Sequence, residues 1–394
     1  MIDSKLMASK PEDAGVDGEA LEAVFARAKR EVDEGLIPSC QVAIARNGKV
    51  AGMRTFGSAV QGGSEKTATE ETLYCVFSCT KVVVASAVWT LFEDGLLKLD
   101  ERVGDIIPEF ATNGKENVTV EQTMLHTGGF PYAPYPQDNW RKREKLLEAF
   151  SRWRLSFEPD SKFEYHATSA HWVLAEIIYR RTGVEFREYI RQRISGPAGL
   201  DELFVGLPEE HDHRFAQIEW PNPVEPPGGW GEVTPAVIVG EVPPNGGFNL
   251  RHVRAAGVPG GGAVSNAGQM ALFYQALISG GEAPNGKRIM KPETIEFATK
   301  VRSKDHHRDL MFNKPVNRGL SVIIAGDDGD AYMRGFGRTC SPRAFGHGGA
   351  GGQIAWGDPE TGISVGYCTN GFTDWMNTAR RITAISSLAG KCAR

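Results

Sequence analysis

Residues 75–95 read CVFSCTKVVVASAVWTLFEDG, with Ser78 and Lys81 three positions apart at the start. Apolar Val84, Val88, Leu91 and Phe92 follow at a helical period until Gly95 stops the run. Residues three apart on a helix share a face, so the Lys81 amine falls beside the Ser78 hydroxyl one turn earlier. A serine hydroxyl is a weak nucleophile at neutral pH and needs a base within hydrogen-bond reach and donors for the charge that develops. The positive end of the helix favours an alkoxide there and disfavours a protonated amine. By itself the pair is more readily a helix cap followed by a surface lysine, so its meaning depends on what surrounds it.

Outward from this helix, residues 17–35 place Leu21, Val24, Phe25, Ala28 and Val32 on one face, with Asp17 as N-cap and Gly35 as stop. The stretch QVAIARNGKVAGMRTFG, residues 41–57, alternates at Val42 and Ile44 around an Asn47-Gly48 pair, which predicts two antiparallel strands joined by a tight turn. GGQIAWGDPETGISVGYCTNG, residues 351–371, repeats the pattern: a strand ending at Trp356, a turn, alternation at Ile363, Val365 and Tyr367, and then a helix to about Leu388. In the middle, a helix ends at Gly183, and NAGQMALFYQALISGG, residues 266–281, puts Met270, Phe273, Tyr274, Leu277 and Ile278 on one face. Residues 220–247, WPNPVEPPGGWGEVTPAVIVGEVPPNGG, carry too many breakers for regular structure and too many apolar residues for a linker, and suggest an ordered loop beside a pocket. The expected architecture is α+β. Residues 1–77 and 255–394 form an α/β sandwich on an antiparallel sheet, and residues 78–254 form an inserted, mainly helical domain with long pocket loops.

Composition narrows the function. The chain has 394 residues and a net charge of −5 spread along its length, which argues against nucleic acid as a partner. No run approaches the roughly 20 apolar residues of a membrane span, and MIDSKLMASKPEDAG lacks the apolar core of a secretory signal, so a cytoplasmic protein is expected. Cys40, Cys75, Cys79, Cys340, Cys368 and Cys392 are not at metal or disulfide-framework spacings and read as free thiols. His211-Asp212-His213 and Asp305-His306-His307 read as polar surface loops, and no metal or organic cofactor is expected. Gly-x-Ser-x-Gly is absent, which removes the strand-to-helix serine of the α/β-hydrolases. GVPGGGAV, residues 257–264, lacks the Gly-Lys-Ser/Thr of a phosphate loop, and its glycines read as backbone passing close to the site.

An ordered series of segments covering most of the chain resembles the serine β-lactamase and penicillin-recognition superfamily. The series runs GLIPSCQVAIARNGKV, FSCTKVVVASAVWTLFEDGLLKLDERVGDIIPEF, VTVEQTMLHTGGF, FEYHATSAHWVLAEIIYRRTG, GVPGGGAVSNAGQMALFYQALISGG and FGHGGAGGQIAWGDPETGISVGYCTNG. The branch it looks most like is shared by class C β-lactamases, DD-peptidases and family VIII carboxylesterases. The resemblance implies Ser78 as nucleophile, Lys81 as its neighbouring amine, and Tyr165 of FEYHA as the tyrosine of the Tyr-x-Asn motif that moves the serine proton. It implies that His347, Gly348 and Gly349 stand on an inner strand in place of Lys-Thr-Gly. The N–H groups of Ser78 and Ala350 then form the oxyanion hole.

Two departures shift the substrate. Ala167 replaces the asparagine that would hold an acylamino group, and His347 replaces a lysine, so that a fixed cation for a substrate carboxylate is missing. Both weaken recognition of penicillin-like ligands and leave acyl transfer intact. The aromatic loop HTGGFPYAPYPQDNW offers Phe130, Tyr132, Tyr135 and Trp140, and the later loop offers Trp220 and Trp230; of these, Phe130, Tyr132, Tyr135 and Trp230 join His347, Gly348 and Gly349 as substrate-binding candidates. The expected activity is a serine carboxylesterase acting on a small-molecule ester through an acyl-enzyme. A β-lactamase, D-amino-acid peptidase, amide hydrolase or acyltransferase on the same fold stays open, as does a non-catalytic sensor or scaffold.

Overall fold

The computed structural model describes residues 2–221 and 247–393. Eleven strands are described: β1 Ser39–Arg46, β2 Lys49–Gln61, β3 Ser64–Thr67, β4 Tyr74–Cys75, β5 Phe204–Val205, β6 Ala263–Ser265, β7 Arg318–Gly319, β8 Val322–Ile324, β9 Phe345–Gly349, β10 Gln353–Gly357 and β11 Ser364–Thr369. Eight of them form one sheet in the order β3-β2-β1-β11-β10-β9-β8-β7, and the short β4, β6 and β5 form a second. All the pairings are antiparallel, and β11 pairs with β1, so the large sheet closes between the two ends of the chain. The β1–β2 turn is the expected one: Asn47 and Gly48 both have positive φ, at 52° and 73°. The architecture is α+β.

Strand alternation puts helices on both faces of the sheet. On β1, Cys40, Val42 and Ile44 pack with α1 (Gly18–Asp33), while Ala43 and Ala45 face the opposite core. Asp17 caps α1 by accepting from the Ala20 N–H. Three helices lie in the middle of the molecule or on its sheet: α2 (Thr80–Glu93), α3 (Ser169–Thr182) and α4 (Ala267–Ile278). A last helix, α5 (Trp375–Ala389), packs beside α1.

Two helices differ from the one-sided stripes read from sequence. Residues 80–91 of α2 and 267–277 of α4 are buried without a break, because α2 runs through the helical layer and α4 is wedged between that layer and the sheet. Several of their polar groups bond internally, while Gln269 Oε1 and the Tyr274 hydroxyl are buried without a partner among the described residues. Thr80, Ser86 and Thr90 donate to the carbonyls of Phe77, Val83 and Ala87, and Gln275 donates to the Ala45 and Gly362 carbonyls of the sheet. All six cysteines are free, and all but the half-buried Cys340 are buried. No described helix is long and apolar enough to cross a membrane.

Candidate active site

Ser78 lies in the 3-10 turn Phe77–Cys79 that leads into α2. Phe77 has φ of 44°, a conformation that costs a bulky residue about 1–3 kcal/mol. Its ring is held edge-on by Phe248 and Phe372, at 5.2 and 5.5 Å between centres. The turn leaves Ser78 half-exposed between two buried neighbours.

Lys81, one turn on, is wholly buried. Its Nζ lies 3.2 Å from Ser78 Oγ, 2.7 Å from the Ala167 carbonyl oxygen and 2.5 Å from that of Gly260. A Cβ on residue 260 would sit 2.7 Å from the Ala167 oxygen, so the glycine lets both carbonyls close on the amine, as expected for the 257–264 stretch. Burial, reinforced by the positive charge of Arg318, holds the Lys81 amine well below its ordinary value. A neutral amine has two N–H groups and one lone pair. Carbonyls cannot donate, so when the amine is neutral they take its two N–H groups, and its lone pair faces the Ser78 hydroxyl.

Tyr165 completes the cluster. Its ring centre is 4.9 Å from Lys81 Nζ, and its buried hydroxyl makes no aligned hydrogen bond among the described residues. Burial pushes the phenol up to about 12, against the opposing influence of the neighbouring Ser78 hydroxyl and of Arg318. The resting phenol is therefore protonated at neutral pH. Lys81, one turn away, and Tyr165, distant in sequence, thus converge around the Ser78 hydroxyl.

Strand β9 forms the facing wall. Cys79 Sγ donates to the His347 carbonyl at 3.1 Å. A Cβ on Gly349 would lie 2.5 Å from the Val76 carbonyl oxygen, so the end of β9 rests directly against the turn that carries Ser78. This brings the Ser78 and Ala350 N–H groups to the same rim, and no backbone acceptor is recorded for either among the described residues. The rim is braced from behind by Arg381 of α5, a fully buried residue that sequence reasoning missed. Its Nη2 donates to the Gly351 carbonyl at 2.7 Å, and its Nη1 lies 3.3 Å from Glu31 of α1. The neighbouring Arg380 is exposed, and nothing in the sequence separates the two.

From this rim a cleft of about 900 Å³ opens past His347, Gly348, Gly349 and Ala350 toward α5, with mainly apolar walls that include Phe163, Trp220, Phe312, Tyr332, Phe372 and Trp375. Trp220 is one of the aromatic residues expected near a pocket. The other aromatic candidates are not brought to this cleft. Phe130 is fully buried in the core against Phe110, Trp153 and His166. Tyr132 is exposed and its hydroxyl bonds Glu164, while the Tyr135 hydroxyl bonds the Asn139 carbonyl and its ring packs on Trp172. Each ring follows the packing of its own loop rather than the site. Trp230 lies outside the described residues.

The expectation that no fixed cation faces the site is overturned by Arg318 of β7. Its Nη1 is 3.3 Å from His347 Nε2, and its guanidinium carbon lies 5.6 Å from the Tyr165 ring centre. His347 itself is neutral as expected: burial first, then the charge of Arg318, holds it well below its ordinary value. Asp160, His306 and His307 come together, with a potential ligand atom of each within 4.8 Å of the others. His307 Nδ1 accepts the Lys304 N–H at 3.1 Å, so its Nε2 carries the proton and donates to Asp160, whose carboxylate also pairs with the Lys304 ammonium.

The chain belongs to the Beta-lactamase family, whose model matches residues 24–389. It is a serine hydrolase of the β-lactamase fold. It is 26% identical to a putative D-alanyl-D-alanine carboxypeptidase of Escherichia coli K12, over 93% of this chain and 85% of the relative. It is 27% identical to the esterase/beta-lactamase LipL of Mycobacterium tuberculosis, over 75% of this chain and 68% of the relative. A solved family VIII carboxylesterase shares the fold, with a TM-score of 0.77 and 24% identity over 94% of this chain and 98% of the other.

Proposed function

We propose that this chain hydrolyses carboxylic esters through an acyl-enzyme on Ser78. The observation that carries the proposal is the saturated environment of Lys81, whose two carbonyl partners leave the lone pair of a neutral amine to Ser78. In this mechanism Lys81 takes the Ser78 proton as Oγ bonds to the ester carbonyl carbon. The carbonyl π pair moves onto oxygen, which the Ser78 and Ala350 N–H groups stabilise. Collapse of that intermediate breaks the bond to the alcohol oxygen, and the Tyr165 phenol protonates the departing alkoxide. The phenolate so formed is a stronger base than Lys81, so the Lys81 ammonium returns the proton to it and the resting pair is restored. Water then repeats the sequence on the acyl-enzyme and frees Ser78.

Support for an ester rather than a peptide or lactam comes from residue 167. Its side chain is a methyl group and its carbonyl is committed to Lys81, so neither can hold an acylamino group. The mainly apolar cleft suits an alkyl or aryl ester. The test is a panel of alkyl and aryl esters, nitrocefin and a D-Ala-D-Ala peptide, run on wild type and Ser78→Ala. Ester turnover that disappears in the variant supports the reading. Turnover of nitrocefin or the peptide with no ester cleavage refutes it.

A further inference from the structure

His126 is fully buried beside Tyr165 and takes no part in the chemistry described above. It follows the short helix Val120–Met124, whose start is fixed by a capping box between Thr119 and Gln122. Its φ is 60°, a left-handed conformation that a non-glycine residue keeps only where its surroundings over-determine it. Those surroundings are the segment that carries Tyr165. The Glu164 N–H donates to the His126 carbonyl at 3.2 Å, and the His166 N–H donates to His126 Nδ1, also at 3.2 Å. One residue therefore holds the backbone on both sides of Tyr165. Thr127 adds a third tether, because its carbonyl accepts the Asp160 N–H at 2.8 Å.

The imidazole suits this task. Nδ1 accepts a backbone N–H, so the proton of the neutral ring sits on Nε2, which is buried and has no hydrogen-bond partner among the described residues. Burial above all, then the charge of Arg318, holds the ring well below its ordinary pKa, so Nδ1 stays an acceptor at neutral pH. The ring centre lies 4.9 Å from that of Tyr165, with the two planes tilted by 45°. Two backbone tethers and a ring contact restrict how far the phenol can move from Ser78. Position matters here, because displacing a catalytic group by about 1 Å can cost about 100-fold in rate.

We infer that His126 is a positioning residue that clamps Tyr165 where it can protonate the leaving alcohol. This rests on the ester reading above, in which the Tyr165 phenol gives its proton to the departing alkoxide. A 4-nitrophenolate leaves readily without that proton, whereas an ethoxide needs it. Loosening the clamp therefore acts on alkyl esters far more than on 4-nitrophenyl esters.

The test measures kcat/KM for ethyl butyrate and 4-nitrophenyl butyrate on wild type, His126→Phe, His126→Asn, Tyr165→Phe and the double variant His126→Phe/Tyr165→Phe. Phenylalanine keeps a ring and loses the acceptor, whereas asparagine keeps an acceptor near the place of Nδ1 and tolerates a positive φ. If His126→Phe does not fold, His126→Gln takes its place, since its amide reaches past the His166 N–H. The ethyl-to-nitrophenyl ratio is expected to fall by about 10-fold to 100-fold in His126→Phe, with most of that loss recovered in His126→Asn. In the Tyr165→Phe background the same change should alter the ratio by less than about twofold, because its effect runs through the phenol. The inference is overturned if His126→Phe lowers both esters equally, if asparagine restores nothing, or if the ratio falls again in the double variant. A wild-type ratio in Tyr165→Phe removes the tyrosine as the acid and overturns the inference with it. Failure of wild type to cleave either ester defeats the ester reading instead. In that event hydrogen exchange decides the clamp: amides of residues 163–167 should exchange at least about tenfold faster in His126→Phe than in wild type or His126→Asn, and unchanged exchange overturns it.

Discussion

Replacing Lys81 with methionine separates the stability of this site from its chemistry. The change removes the amine and keeps most of the apolar stem inside α2. It orphans the carbonyls of Ala167 and Gly260, now bonded at 2.7 and 2.5 Å, at about 1–3 kcal/mol each. An opposing term comes from the pKa. Lys81 is depressed in the folded protein and near 10.5 in the unfolded chain, so unfolding takes up a proton at every pH between those two values. Wild-type stability contributed by this group is therefore complete above 10.5 and is lost as pH falls toward the folded value, at about 1.4 kcal/mol per pH unit. Methionine abolishes that slope. The two terms act in opposite directions, and Lys81→Met should stay folded, with a denaturation midpoint that no longer climbs toward alkaline pH. Turnover should behave otherwise, because a positioned base contributes about 100-fold to 10,000-fold. The assay is kcat/KM for a chromogenic ester from pH 5 to 10, paired with thermal denaturation at each pH. A well-folded Lys81→Met protein that keeps turnover within tenfold of wild type refutes the assignment of the base.

Three further outcomes follow from the same geometry. The wild-type pH–rate profile should rise through the depressed value of Lys81 and reach its alkaline limb only near 12, where Tyr165 ionises, and His347→Gln should leave the acid limb's origin with Lys81; an acid limb that vanishes in His347→Gln contradicts this. Gly349→Ala sets a Cβ 2.5 Å from the Val76 oxygen and should push the end of β9 off the nucleophile turn, lowering kcat by on the order of 100-fold, the effect of losing one oxyanion donor, as read by steady-state kinetics. Arg381→Met removes the charged donor to Gly351 and one of the two arginine partners of Glu31, the other being Arg27; it should cost about 1.5–3 kcal/mol in chemical denaturation and lower kcat more than it raises KM.

Local signals carried much of this structure. The Asn47-Gly48 turn, the Asp17 cap and the Gly95 and Gly183 stops each depend on a few adjacent residues, and each is where the pattern puts it. The Ser78–Lys81 contact is equally local, since three residues on a helix fix it. Tyr165 is different: an aromatic residue in FEYHA has no spacing that ties it to Ser78, and only the ordered resemblance singled it out. Arg318 and Arg381 had no signal at all. Their roles come from strand order and from one helix face meeting a turn, which a linear pattern does not encode. The aromatic loop misled for a related reason, because residue type does not reveal whether Phe130 faces a cavity or the core. The fully buried helices hid their environment too, since a helix covered on every side has no polar face from which a stripe can be read.

The most direct test of the central claim is mass spectrometry of the intact protein after incubation with a 4-nitrophenyl alkylphosphonate, followed by peptide mapping. One covalent equivalent is expected on Ser78, formed slowly or not at all in Lys81→Met. An adduct on any other residue, or an unlabelled protein that still cleaves esters, contradicts the account.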